Sequence, residues 1–587
     1  MAVRGAGHMR LGAAGIAFVE GGEEETAPAA RVLQAALGDG WRITHGKPAG
    51  HILFRIVPHV AGAQSYRLRV APESICAEAQ DRAGLFYAAV TLAQLINLSG
   101  DALPACEITD APDFPVRGVM LDISRDKVPT METLYWLVDL LAGLKVNQLQ
   151  LYMEHTFAYR GHEEVWQNAS PMTAEEIRAL DAYCRERCVE LVPNQNSFGH
   201  LERWLTLPRY NALAELPQGG APLPWGGTRD VPTSLCPTDP RSVAFLEDLY
   251  DQLLPNFTSR LFNVGCDEVF DLRGAGRSAA FVREQGEGRV YLDFLKKVHG
   301  LVTRRERRMA FWGDIIIRYP ELVPELPKDA VALEWGYEAD HPFDAHGALF
   351  AASGMLFYVC PGTSTWNSLA GRTTNMRANL LAAAESGIKH SASGYLIADW
   401  GDNGHWQPLS VSLAGYVYGA ALSWGTAQNR DIDLATATDH FGGTEGLGSV
   451  LLELGDAYLS CGALRGNSTE LFQIMSQPKT RAPASGVTVE TLQHVLAEVE
   501  RLEQNLPARP HTSIIEHETR HVIRLLRAAC YRGFALLKGA DSPTLATSAH
   551  DWDGLMAEHA RVWRLRNRGG GLTDSLARFA VIRREYE

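Results

Sequence analysis

VRGVMLDISRDKVPTMETLYWLVDLLAGLKVNQLQLYM, residues 116–153, reads as one complete strand–helix–strand unit. Its ends, VRGVMLDI and QLQLYM, are largely apolar runs, as expected of parallel strands covered on both faces. Between them, PTMETLYWLVDLLAGL places Leu134, Leu137, Val138, Leu141 and Leu144 on one helical stripe. Parallel strands need a crossover of this kind. The beat then repeats through VELVPN (189–194), RLFNVG (260–265), RMAFWG (308–313), AVALEW (330–335), MLFYVC (355–360) and GYLIAD (394–399). Helical patterns lie between them. TAEEIRALDAYCRERC opens with Thr173 three residues before Glu176, a capping-box spacing. RVYLDFLKKVHGLVTRR is amphipathic in the same way. Eight strand–helix repeats over about 310 residues predict an α/β fold, a (β/α)8 TIM barrel over residues 113–430.

Two flanking units are expected. Residues 1–112 mix helical patterns (PAARVLQAAL, RAGLFYAAVTLAQLIN) with strand patterns (HILFRIV, SYRLRV), which predicts a small N-terminal α/β domain closed by DAPDFP. Residues 431–587 read as an all-helical C-terminal region, with no strand signal after about Asn429. Its helices are TVETLQHVLAEVERLEQNL, IIEHETRHVIRLLRAACYRGFALLKG and WDGLMAEHARVWRLR. RNRGGGLTDS interrupts the region, either as a turn or as a loop reaching back toward the barrel.

At 587 residues the chain is too long for one compact core, and its 46% hydrophobic content is that of a globular protein. No run of eighteen apolar residues predicts a membrane span, and MAVRGAGHMRLGAAGIAFVEGG lacks the apolar segment of a signal peptide. A net charge of −14 argues against nucleic acid or an anionic membrane as partner. The nine cysteines are scattered, and the close pair Cys184 and Cys188 fits one buried helix face. Reduced thiols in a cytoplasmic protein are the expectation. Oligomeric state is left open, a homo-oligomer included.

In such a barrel the chemistry gathers where strands end. Strand one ends near Asp122 and Arg125, strand two in Glu154 and His155, and strand three in Asn194, Gln195 and Asn196, followed by SFGH with His200. Strand four ends in Asp267 and Glu268, strand five at Trp312 with Asp314 beyond, and strand six at Glu334, Trp335 and Tyr337. Strand seven carries Tyr358, then Cys360 and Trp366, and strand eight runs into DWGDNGHW with Trp400 and Asp402. Trp312, Trp335, Trp366 and Trp400 follow four successive strands. Flat apolar rings interleaved with Asp, Asn and Arg suit a sugar, the rings covering its C–H face. A phosphate site would need glycine-rich turns or clustered Lys and Arg. HEEVW lacks the second histidine of a zincin helix, so neither metal nor cofactor is expected.

VRGVMLDISR (116–125), FGH (198–200), NVGCDEV (263–269), the tryptophan series and Tyr358 resemble the β-N-acetylhexosaminidases of glycoside hydrolase family 20, over about residues 113–425. Within that family the chain looks most like bacterial members with a helical C-terminal region. The resemblance implies exo-acting removal of terminal β-linked GlcNAc or GalNAc from oligosaccharides or glycoconjugates. The mechanism it implies is retaining, with the substrate's own 2-acetamido oxygen attacking the anomeric carbon to form an oxazolinium ion. In that scheme Glu268 is the acid and base, Asp267 accepts the acetamido N–H, and Tyr358 donates to the acetamido oxygen. Arg117 matches an arginine that binds ring hydroxyls. Trp312, Trp335 and Trp400, with Trp366, match the pocket wall, and Asp402 a carboxylate that binds outer hydroxyls. His200 matches a histidine near the acid, while His155 and Asn196 join the substrate-binding set. Cys360, Asn196 and the Glu154–His155 pair stand where many relatives have aspartates, which bears on the choice between gluco and galacto epimers. The alternatives are another TIM-barrel hydrolase, either a direct-nucleophile glycosidase or a metal-dependent enzyme using His155, His200 and Asp267, and a non-catalytic sugar-binding protein.

Overall fold

The computed structural model describes residues 2–45, 51–58, 60, 62–506, 513–538 and 549–586. Eight parallel strands close a barrel: Val116–Asp122, Gln148–Met153, Glu190–Gln195, Leu261–Asn263, Arg308–Trp312, Val331–Trp335, Leu356–Cys360 and Gly394–Asp399. All eight expected strands are present. The barrel shuts where the eighth strand pairs with the first, Gly394 opposite Val116 through Asp399 opposite Leu121. The helix Met131–Gly143 buries Leu134, Leu137, Val138 and Leu141 as its stripe requires, and Thr130 caps it by accepting the Thr133 N–H. The Thr173–Glu176 capping box forms in full; such a cap stabilises a helix by about 1 kcal/mol.

The N-terminal domain is a seven-stranded mixed sheet bearing the helices Glu23–Leu37 and Arg82–Ser99. Strand Tyr66–Ala71 alternates as a half-buried strand should, with Tyr66, Leu68 and Val70 inward. The opening residues, in which no element was expected, form an edge strand, Ala2–Arg10, antiparallel to Ala102–Asp110. Alternation in this segment is too weak to reveal a strand defined by its partner.

Among the described residues the C-terminal region is helical except for a small hairpin, Leu464–Arg465 against Ser468–Thr469. Its long helices include Val489–Gln504, Ile514–Lys538 and Ala549–Trp563. Gly539, the end of the second expected helix, lies outside the described residues. RNRGGGLTDS does reach back: Asn567 bridges Pro129, Arg568 donates to the Pro129 and Pro171 carbonyls, and Gly570 N–H donates to Ser170. A Cβ on Gly571 would lie 1.9 Å from the Asp126 carbonyl oxygen, so only glycine permits the contact. Among the described residues no helix is long and apolar enough to cross a membrane.

Candidate active site

The loop after the short fourth strand folds tightly. Gly265, Cys266 and Glu268 all take positive φ, at 66°, 70° and 49°. For a residue with a Cβ this costs about 1–2 kcal/mol, so the surroundings must hold the loop. Asn196 Oδ1 accepts the Cys266 N–H at 3.1 Å and Tyr291 donates to the Cys266 carbonyl at 3.0 Å. A Cβ on Gly199 would meet the Asp267 carbonyl oxygen at 2.4 Å, so the SFGH turn can press against the loop only through glycine.

The strained turn sends the two acids to different environments. Asp267 is buried; its Oδ1 accepts from Asn196 Nδ2 at 2.7 Å and its Oδ2 lies 3.2 Å from His200 Nε2. Burial alone would raise its pKa, but His200, the Asn196 amide and Arg125 hold it below the ordinary aspartate value. Glu268 faces a cavity of about 490 Å³, its Oε2 3.5 Å from His200 Nε2. Burial pulls His200 down, yet the carboxylates, Asp267 foremost, raise it to about 9.

Arg125, Glu154, His200, Glu268 and Asp402 line that cavity together. Arg125 bridges Asp122 at 3.1 Å and Glu154 at 3.3 Å, and its guanidinium stacks on Tyr152 and Trp400 at 4.7 and 4.9 Å. Asp122 also accepts the Gly401 N–H, fixing the loop that carries Asp402. Burial raises both Glu154 and Asp402. The outer rim comes partly from the C-terminal region, through Asn467 and Arg578, and partly from the hairpin of Ala221–Pro222 and Thr228–Arg229, which exposes Trp225 at 66%.

The four tryptophans gather with Tyr337 in one aromatic cluster at this end of the barrel. Trp400 Nε1 donates to the Tyr337 hydroxyl at 2.7 Å, Trp335 stacks on the Tyr337 ring at 5.1 Å, and Trp366 meets it edge-on at 4.8 Å. Trp366 is also held by Asn467 and Trp312 is fully buried, so these two support the cluster, while Trp335 remains half-buried.

Four expected site residues are placed elsewhere. Arg117 sits at the start of its strand, donating to the Phe114 and Lys145 carbonyls and the Tyr87 hydroxyl between the Tyr87 and Trp424 rings. It seals the opposite end of the barrel against the N-terminal domain, and Arg125 is the arginine in the cavity. Tyr358 also points away. Its ring covers Gly394, where a Cβ would meet it at 2.6 Å, and its hydroxyl is influenced by Gln148, Glu190 and Arg308, each the first residue of its strand. Burial pushes Tyr358 to about 12. Tyr337 holds the hydroxyl among the tryptophans. Asn196 is fully buried and orients Asp267 instead of lining the cavity. His155 is buried outside the cavity lining, and burial drives it down to about 3.

Asp314 was in the sequence as a strand-end residue but without a role. Its Oδ2 accepts the Glu268 N–H at 3.3 Å. Burial first, then Asp267, raise it to about 8. A carboxyl raised in the folded state binds its proton more tightly there than in the unfolded chain, so stability falls as pH rises from about 4 to about 8. Asp314→Asn keeps an acceptor without the charge. It is expected to raise Tm at pH 8 and to change it little at pH 4; equal shifts at both values would show that Asp314 does not titrate in this range.

Comparison with known proteins agrees with this architecture. The family model described as "Glycosyl hydrolase family 20, catalytic domain" matches residues 114–375, and "Glycosyl hydrolase family 20, domain 2" matches residues 5–111. A β-hexosaminidase of Akkermansia muciniphila is 26% identical over 288 residues, 44% of this chain and 57% of that protein. One from Vibrio furnissii is 26% identical over 313 residues, 46% of this chain and 48% of that protein. The chain thus spans about half the length of these curated relatives. The fold matches a Flavobacterium johnsoniae chitobiase with a TM-score of 0.63 at 16% identity, covering 95% of this chain and 94% of that one. It also matches a Vibrio harveyi exo β-N-acetylglucosaminidase in complex with N-acetylglucosamine, TM-score 0.60 at 18% identity, covering 78% of this chain and 76% of that one. With both of its models matched in order over the N-terminal domain and most of the barrel, the chain belongs to glycosyl hydrolase family 20.

Proposed function

We propose that the protein is an exo-acting β-N-acetylhexosaminidase that releases terminal, non-reducing, β-linked GlcNAc or GalNAc by a retaining, substrate-assisted route. The adjacent acids carry this reading: Asp267 is held ionised over His200 and Asn196, while Glu268 faces the cavity. The 2-acetamido oxygen attacks the anomeric carbon and the glycosidic bond breaks. Glu268 gives its proton to the departing oxygen, then takes one from the water that opens the oxazolinium ion. Asp267 accepts the acetamido N–H and offsets the charge that develops on nitrogen. Because the nucleophile is intramolecular, the protein's task is to hold it in place. Tyr337, in the position expected of Tyr358, donates to the acetamido oxygen, and Arg125 and Asp402 meet ring hydroxyls. Family membership and relatives named β-hexosaminidase support the substrate class. Nine cysteines without a disulfide support a reducing, cytoplasmic setting.

The test pairs gluco- and galacto-configured aryl 2-acetamido-2-deoxy-β-glycosides with a thiazoline mimic of the oxazolinium ion. Cleavage of at least one substrate and strong inhibition are expected. Tyr337→Phe should lower kcat by about 10²-fold, as loss of a transition-state donor does, while Tyr358→Phe leaves kcat unchanged. No cleavage of either substrate overturns the reading, indifference to the thiazoline overturns substrate assistance, and the reverse tyrosine pattern restores Tyr358 to the site.

A further inference from the structure

On the sixth strand, Val331, Leu333 and Trp335 belong to the cluster inside the barrel. Glu334 alternates to the outer face, under the helix layer, and is 1% exposed. A buried carboxylate needs compensation, and among the described residues no Lys or Arg lies within ion-pair distance of it. Two imidazoles converge on one of its oxygens instead: His341 Nε2 at 2.7 Å and His346 Nδ1 at 2.6 Å from Oε1. His341 comes from the loop after the strand, and His346 from the helix Phe343–Ala352. All three donor atoms lie within 4.8 Å of one another.

We propose that Glu334, His341 and His346 form a zinc site on the outer wall of the barrel, with its fourth position open to solvent. Two imidazoles and a carboxylate are a donor set that zinc favours. The site is already held in shape. Asn379 donates to the Gly336 and Glu338 carbonyls, Asn375 donates to the Tyr337 carbonyl and accepts the Ala339 N–H, and Arg372 pairs with Glu338. A Cβ on Gly336 would fall 2.0 Å from His341 Nδ1, so the ring reaches Glu334 only over a glycine. Side-chain exposures of 18% for His341 and 28% for His346 leave an approach from water. For both rings to hydrogen bond to Oε1, each must carry a hydrogen on the nitrogen facing it. On binding, each neutral ring moves that hydrogen to its other nitrogen, an imidazolium releases one proton to solvent, and the ion occupies the vacated lone pairs. The ion would sit behind Trp335, on the opposite side of the strand from the reacting acids, and the proposal is independent of the chemistry assigned to the cavity.

Full-length protein stripped with chelator, dialysed against micromolar zinc chloride, desalted and measured by mass spectrometry should retain one zinc per chain. Zinc should raise its Tm by about 2–4 °C, and cobalt(II) should give the visible absorption of a four-coordinate site. His341→Ala and His346→Ala should each weaken zinc binding by about 10²-fold or more and abolish the Tm rise. His390→Ala, at a half-buried histidine paired with Asp344 and not with Glu334, should retain both. If either variant fails to fold, the wild-type stoichiometry and Tm response decide the matter. No zinc on the wild type, no Tm response, or wild-type stoichiometry in both His341→Ala and His346→Ala would each overturn the site.

Discussion

Glu268→Gln is expected to lose kcat by about 10²-fold or more on substrates with poor leaving groups, and by less on activated aryl glycosides. The amide matches the carboxyl in shape and can adopt the same left-handed backbone, which Glu268 holds at φ 49°. It has no proton to give the leaving oxygen and cannot deprotonate water. The leaving-group dependence separates lost acid catalysis from general damage to the site. A uniform loss across leaving groups, or near-normal rates, would remove Glu268 from that role.

Asp267→Asn is expected to be comparably damaging, with kcat reduced by about 10²–10³-fold, the range for loss of a preorganised electrostatic partner. The variant should also bind the thiazoline more weakly, since the ligand's cationic form loses its counter-charge. A second readout comes from His200. Asp267 is the foremost group raising that imidazole to about 9, so its NMR titration should shift downward in the variant. With a folded value above the unfolded value of about 6.5, the His200 contribution to stability is fully present below that pH and lost as pH rises through about 9. That fall in stability should flatten in Asp267→Asn. Turnover within a few-fold of wild type, with His200 unshifted, would detach Asp267 from both histidine and substrate.

The placement of side chains explains which site residues could be read in advance. Asp267, Glu268, His200 and Asp402 lie just past strand ends, where position along the chain fixes the end of the barrel. Arg117 and Tyr358 lie within strands, where the side chain leans toward one end and packing decides which. Arg117 is drawn to Tyr87 and Trp424 across the domain seam, and Tyr358 settles over Gly394. Arg125 and Tyr337 had strand-end positions that sequence could register, but their partners, Glu154 and Trp400, come from other strands.

The sequence by itself determined the barrel, its eight strands and the pair of acids, because apolar runs, helical stripes and caps are local and repeat along the chain. Tertiary structure alone decided which arginine lines the cavity, which tyrosine hydroxyl meets Trp400, that the C-terminal region supplies Asn467 and Arg578 to the rim, and that Glu334 faces two histidines. Those outcomes depend on contacts between residues far apart in sequence, and no local periodicity encodes them.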